Sequence, residues 1–365
     1  MQQPFRTDAQ SDRRQPLVDT SAKGCLTSSC TLPGNGLVLP SLCGILQRQE
    51  PRPSSSGIKQ MSSQIRIILN GKSADSAELR EAVYTQRQKS ISIDVRVTWE
   101  QGDAARFVQE ACRQGVKKII SAGGDGTLHE VVNALCTCES ASDRPLLGII
   151  PMGTANDFAG SCNLPRLPAD ALHLAVTSGA VPIDVIQIND RYLLNVATSG
   201  FGAEVTVATP PELKRFLGGA SYALMGIILS MNLQPHDGEI LLPNSKKYKG
   251  AVLVGAVGNG RQAGGGIPLT PKAYIDDGLL DLLYIRRFPL TDLGTVIQEL
   301  SSLPSEGKYV GYIQTPWFEF DHLHPINVNL DGESYSFKKG RAELIPGALQ
   351  VILPMNCPLL VANRD

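Results

Sequence analysis

The sequence predicts an α/β domain followed by a β domain: a three-layer α/β unit with a mostly parallel sheet, then an antiparallel β-sandwich. Three observations carry this expectation. From Ile65 to Ser178, short apolar runs alternate with amphipathic stretches, as strands joined by right-handed crossover helices do. From Val181 onward, short strands are separated by turns rich in Gly, Pro, Asn and Asp, the signature of a sandwich. The 365 residues are enough for about two such domains with real cores.

Composition narrows the class. Thirty-four basic residues stand against 35 acidic ones, and without a basic excess nucleic acid is not an expected partner. Hydrophobic content is 42%, but no run of about 18 uncharged apolar residues appears, so no transmembrane segment is expected and membrane contact would be peripheral. The eight cysteines include no Cys-x-x-Cys pair, and Cys136-x-Cys138 has the wrong spacing for a zinc knuckle. They read as scattered reduced thiols of a cytosolic protein. His322-x-His324 has no third ligand nearby and reads as a polar pair.

Residues 1–60 are rich in Gln, Ser, Pro and Gly and show no apolar periodicity, so a disordered extension is expected. The charges Arg6, Asp8, Asp12, Arg13 and Arg14 do not match a secretory signal. Met61 stands just before the first periodic strand, so translation is expected to begin there; N-terminal sequencing that finds earlier residues would refute this.

Ile65–Leu69 reads as a buried strand and Asn70-Gly71-Lys72-Ser73 as its turn. The Gly-Lys-Ser is not a Walker A loop, because that motif needs a glycine where Arg66 stands. Ala77–Gln88 is patterned as a helix, Ile91–Val97 alternates strictly as a strand, and Asp103 opens a helix capped by Gly102 or by itself. A further helix is expected over Ala169–Ser178. Beyond it, strands are expected at Val181–Ile188, Tyr192–Val196, Glu239–Leu242, Ala251–Val257, Leu279–Ile285, Trp317–Phe320, Ile326–Leu330 and Gln350–Leu353. Two helices interrupt them, near Pro211–Met231 and Thr291–Ser301. Phe216–Met231 is strongly apolar, either a buried core helix or the lining for a greasy substrate.

The chain's chemistry gathers where the parallel strands end, since ligands of such sheets collect at their carboxyl edge. Ile119-Ile120-Ser121-Ala122 runs into Gly123-Gly124-Asp125-Gly126-Thr127 and then an amphipathic segment. Glycines let backbone approach a bound group, and N–H groups opening a helix attract phosphate; the same residues also make an ordinary turn. After Leu146–Ile150 comes a second such loop, Gly153-Thr154-Ala155-Asn156-Asp157. Thr98 lies on the same rim. Two phosphate-friendly loops on one edge suggest a nucleotide.

The pairing of Gly123–Thr127 with Gly153–Ala159 resembles the diacylglycerol kinase catalytic family. Gly258-Asn259-Gly260-Arg261-Gln262-Ala263-Gly264-Gly265-Gly266 and Asn329-Leu330-Asp331-Gly332-Glu333 narrow the resemblance to the bacterial YegS-type lipid kinases, over about Ile65 to Val361. The resemblance implies ATP-dependent phosphorylation of a lipid hydroxyl in a cleft between the two domains, with the last strand returning to the first. The implied division is an extension at 1–60, a nucleotide-binding domain at 61–190 completed by about 350–365, and a sandwich at 191–349. Nucleotide contacts map onto Thr98, onto Gly124, Asp125, Gly126, Thr127, Leu128, His129 and Glu130, and onto Thr154. His129 departs from the Asn often found there. The acidic catalytic position maps onto Glu333. A metal site of one carboxylate and two backbone carbonyls maps onto Asp277, Tyr274 and Leu279, where the neighbouring Asp276 is a second candidate carboxylate. Mg2+ is the implied ion, with Ca2+ the alternative at the structural site. The expected location is cytoplasmic, with transient membrane contact.

Phosphoryl transfer is mainly positioning and charge neutralisation. A lipid hydroxyl also needs a base; Glu333 is the candidate, and Asp125 is the second candidate or else a ligand of the ATP-bound Mg2+. Asp331-Gly332 on its own reads as a hairpin turn, and Asp277-Gly278 as a surface turn. Two other functions compete: a NAD kinase-like phosphotransferase, which would need a polar acceptor site, and a non-catalytic nucleotide or lipid sensor, which would tolerate loss of Asp125 or Glu333.

Overall fold

Four parallel strands set the carboxyl edge on which the site is built. The computed structural model describes residues 65–138, 140, 143–200, 224–226, 228 and 233–364. Strands β1 (Ile65–Asn70), β2 (Ile93–Thr98), β3 (Lys118–Gly123) and β4 (Leu146–Pro151) lie in the order β2-β1-β3-β4, all parallel. Helices α1 (Ala77–Gln88), α2 (Asp103–Gln114), α3 (Asp125–Cys136), α4 (Asp157–Ser161) and α5 (Pro168–Thr177) connect or follow them. The alternation of apolar side chains explains the layers. Ile65, Ile67, Leu69, Ile120 and Ile150 pack with α1 and α5 residues, whereas Ile68, Ile119 and Ile149 pack with α2 and α3. A sheet covered on both faces needs apolar residues at successive positions, and these strands supply them. Arg66 is the buried exception, held by Asp94, Gln114 Oε1 and the Phe107 carbonyl. Edge strand β2 begins two residues later than its alternation suggests and leaves Val97 42% exposed. Helix α2 is capped by Gly102 in the left-handed region, φ +90°.

The rest of the described chain comprises β5 (Val181–Ile188), β6 (Arg191–Leu193), β7 (Val196–Ser199), β8 (His236–Leu241), β9 (Lys247–Gly258), the hairpin β10 (Gln262–Ala263) and β11 (Ile267–Pro268), β12 (Leu280–Arg286), α6 (Leu293–Ser302), β13 (Val310–Thr315), β14 (Trp317–Leu330) and β15 (Glu333–Val351). Its pairings are antiparallel, and β9-β7-β14-β8 closes back on β9. Strand β15 pairs antiparallel with β14 and β5, then ends parallel to β4 at Val351↔Leu147. It thereby returns the chain to the first sheet as expected.

Two long strands differ from the sequence expectation. Trp317–Phe320 and Ile326–Leu330 are one strand, and of the expected Gln350–Leu353 strand only Gln350 and Val351 are strand, as the end of the 19-residue β15. Their registers slip between Asp321 and Ile326, around Pro325, and between Ile345 and Leu349, around Pro346-Gly347. Proline and glycine there mark bulges within continuing strands, not turns between strands. Tyr192–Val196 is split between β6 and β7, and β13 has no counterpart in the sequence reading.

The extension at 1–60 and most of the helix expected near Pro211–Met231 lie outside the described residues. Leu224, Met225 and Ile228 are described, and they are buried in the sandwich core beside Val254 and Leu283, which fits the core-helix reading. No helix among the described residues is long and apolar enough to cross a membrane.

Candidate active site

The two glycine turns are in backbone contact. Gly123 ends β3, and Gly124 is the extended N-cap of α3. The Met152 N–H donates to the Gly123 carbonyl at 2.8 Å. A Cβ on Gly153 would lie 2.5 Å from Gly124 Cα, and one on Gly124 would lie 3.1 Å from Gly153 Cα. Main chain meets main chain there, so a side chain on either residue would drive the turns apart. Asn156 holds the second turn: its side chain accepts from Gly153 N–H at 2.9 Å and donates to Gly153 O at 2.6 Å. Thr154 is left exposed at the loop tip.

The first residues of α3 divide their side chains between groove and core. Thr127 Oγ1 accepts from Asn70 Nδ2 at 2.7 Å. Thr98 Oγ1 accepts the Gly71 N–H at 3.3 Å. Thr98, Thr127 and Glu130 line one groove together with Asn70, Lys72 and Trp99. Leu128 is buried in the core, so only its backbone is available to a ligand. His129 is also buried, with Nε2 3.1 Å from the Tyr335 hydroxyl and Nδ1 3.7 Å from the Asp331 carboxylate. The imidazole therefore braces the hairpin that carries Glu333.

Asp125 and Glu333 have different surroundings. The Asp125 carboxylate accepts the amides of Asp157 and Phe158 at the start of α4; burial, then the Asp157 charge, pushes its pKa up to about 6. Asp157 in turn accepts Gly265 N–H at 2.9 Å and Gly266 N–H at 2.6 Å, linking the glycine turn to the loop joining β10 and β11. Glu333 is exposed and opens β15. A Cβ on Gly126 would lie 3.0 Å from Glu333 Oε1. Burial, then the Glu333 charge, raises the Glu130 carboxyl above its ordinary range, so the two carboxylates share the mouth of α3.

The hairpin presenting Glu333 has positive φ at Asp331 (+50°) and Gly332 (+104°), as the Asp-Gly pair predicts for a type I′ turn. The Asp331 side chain does more than favour the turn. Its carboxylate accepts Leu194 N–H at 2.7 Å, Asn195 N–H at 3.0 Å and Val196 N–H at 2.9 Å, clamping β15's entry to the β6–β7 link. The sequence pattern gives Asp157 no role and Asp331 only that of a turn residue; their side-chain bonds to main-chain amides are signalled only by a carboxylate placed within a glycine-rich turn.

The third set is placed elsewhere. Tyr274, Asp277 and Leu279 lie in the turn before β12, beside the C-terminal segment: Ile275 N–H donates to Leu359 O, and Asp276 accepts Val361 N–H. Asp277 accepts Leu279 N–H at 3.0 Å within its own turn. Among the described residues, no three His, Cys, Asp or Glu side chains converge as a metal site. Burial, then the Asp184 and Asp276 charges, raises the Asp277 carboxyl above its ordinary range.

Comparison with known proteins gives the class. Residues 64–188 match the diacylglycerol kinase catalytic domain, and residues 195–353 match the YegS C-terminal NAD kinase beta sandwich-like domain. A "Probable lipid kinase YegS-like" of Shewanella frigidimarina is 42% identical over 301 residues, covering 82% of this chain and 97% of the relative. The protein of the same name from Serratia proteamaculans is 48% identical over 295 residues, covering 80% and 95%. A crystal structure of a diacylglycerol kinase from Bacillus anthracis str. Sterne superposes with a TM-score of 0.64 at 26% identity, covering 81% of this chain and 99% of that one. The chain belongs to the YegS-type lipid kinase family.

Proposed function

We propose that this chain transfers the γ-phosphoryl group of ATP to a hydroxyl of a phosphatidylglycerol- or diacylglycerol-like membrane lipid, with Glu333 as the base. The observation that carries this reading is the approach of the Glu333 carboxylate to Gly126 at the opening of α3. A triphosphate received by the amides of residues 124–127 would hold its terminal phosphorus within reach of that carboxylate. Glu333 takes the hydroxyl proton as the new O–P bond forms and the bond to ADP breaks, a contribution of roughly 10²- to 10⁴-fold. Asp125, bonded to the amides of α4, positions the turn and is less well placed to reach an acceptor. MgATP is the donor substrate, its ion neutralising phosphate charge. Asp277, with the carbonyls of Tyr274 and Leu279, would hold a separate ion that orders the turn before β12.

The lipid acceptor is supported by the sandwich interior. An apolar cavity lies there, lined by Ile240, Val257, Leu282, Phe318, Phe320 and Phe337 among others. Its mainly apolar lining, with His236, Lys249, Arg286 and His322 also on its wall, favours an acyl chain over a dinucleotide. Strand β15 pairs with β14 and β5 and ends beside β4, which supports the division into 61–190 with 350–365 and 191–349. Work at a membrane surface from the cytoplasm follows from this substrate class. Incubation with labelled ATP, Mg2+ and a panel of membrane lipids beside NAD tests the proposal. Label should enter lipid; label entering NAD alone would contradict it.

A further inference from the structure

We propose that Trp99 is the stacking surface for the adenine ring of ATP, an assignment that rests on the nucleotide reading of the groove beside it. Trp99 is 93% exposed, although burying an indole is strongly favourable. The residue is nonetheless held in place. Asp103 Oδ2 accepts Trp99 N–H at 2.7 Å and Glu100 N–H at 3.1 Å, and Asp103 Oδ1 pairs with Arg106 at 2.6 Å. The backbone is anchored while the ring is presented to water, an arrangement that packing does not explain.

Its location supplies the reason. Trp99 follows Thr98 at the carboxyl end of β2 and lines the same groove as Thr127 and Glu130. With phosphates at the opening of α3, the base extends toward the outer end of that groove. Stacking asks only for a flat π-surface there. An indole can also anchor a protein at a membrane interface, but Trp99 lines one continuous groove with Thr98 and Thr127 on the rim read as the nucleotide site, and that continuity favours the base.

The chain has two tryptophans, and the second, Trp317, lies in β14 under the Arg341 guanidinium, 4.0 Å from the ring centroid. In the full-length chain, Trp317→Phe therefore leaves Trp99 as the sole tryptophan, read by excitation beyond the tyrosine band. ATP and adenosine should quench its emission, and tripolyphosphate should not. Trp99→Ala, checked by circular dichroism, should bind ATP roughly tenfold or more weakly by calorimetry, bind tripolyphosphate as before, and be largely restored by Trp99→Phe. Equal ATP affinity in Trp99→Ala and the parent would overturn the assignment. So would unchanged ATP affinity with lost binding to anionic phospholipid vesicles, which would make Trp99 a membrane contact. Absence of ATP binding to the parent chain would instead refute the nucleotide reading, and this assignment with it.

Discussion

Gly126 leaves the space that Glu333 occupies: a methyl group on the glycine would stand 3.0 Å from the carboxylate Oε1. Residues far apart in sequence thus meet at the opening of α3, one supplying amides and the other a carboxylate.

Gly126→Ala should separate activity from stability. Alanine favours a helix over glycine by about 0.5–1 kcal/mol, so the melting temperature should not fall. The added methyl displaces Glu333 by a few tenths of an ångström, and misplacement at a reacting centre is expensive. A kcat fall of about tenfold with unchanged melting is expected, measured by steady-state kinetics beside calorimetry.

Asp125 should leave a signature in the pH dependence of stability. Its folded-state pKa is raised from 3.8 to about 6, so the folded chain holds a proton that the unfolded chain has released. Its stabilising contribution is complete below about pH 4 and is lost as pH rises through about 6, on the order of 2 kcal/mol. Asp281 is raised to about 6 as well, mainly by burial, so the Asp125 part is the difference between wild type and Asp125→Asn. Denaturant unfolding between pH 4 and 7 should show a shallower decline in the variant. Parallel curves would contradict the burial of this carboxylate.

Asp331 is predicted to be structural. Asp331→Ala leaves three amides of the β6–β7 link without their acceptor, and each buried unpaired donor costs about 1–3 kcal/mol. A loss of at least 3 kcal/mol is expected by chemical denaturation, with Asp331→Asn milder. Full stability in Asp331→Ala would show that water replaces the carboxylate.

The sequence disclosed the parallel sheet well because buried strands such as Ile65–Leu69 and crossover helices such as Ala77–Gln88 carry clean periods. It disclosed the two glycine turns and the Asp331-Gly332 hairpin because their residues are chosen by backbone conformation. It did not disclose that β14 and β15 run through Pro325 and Pro346-Gly347, since a bulge and a turn use the same residues. Nor could it separate the two carboxylates. Asp125 and Glu333 each stand beside glycine, and only tertiary packing gives one to the amides of α4 and leaves the other exposed.

The most direct test of the account is Glu333→Gln, which keeps the side chain's size and removes its basicity. Lipid phosphorylation should fall roughly 10²- to 10⁴-fold, while ATP affinity measured by calorimetry stays at the wild-type value. Full activity in this variant would remove Glu333 from the mechanism and contradict the central claim.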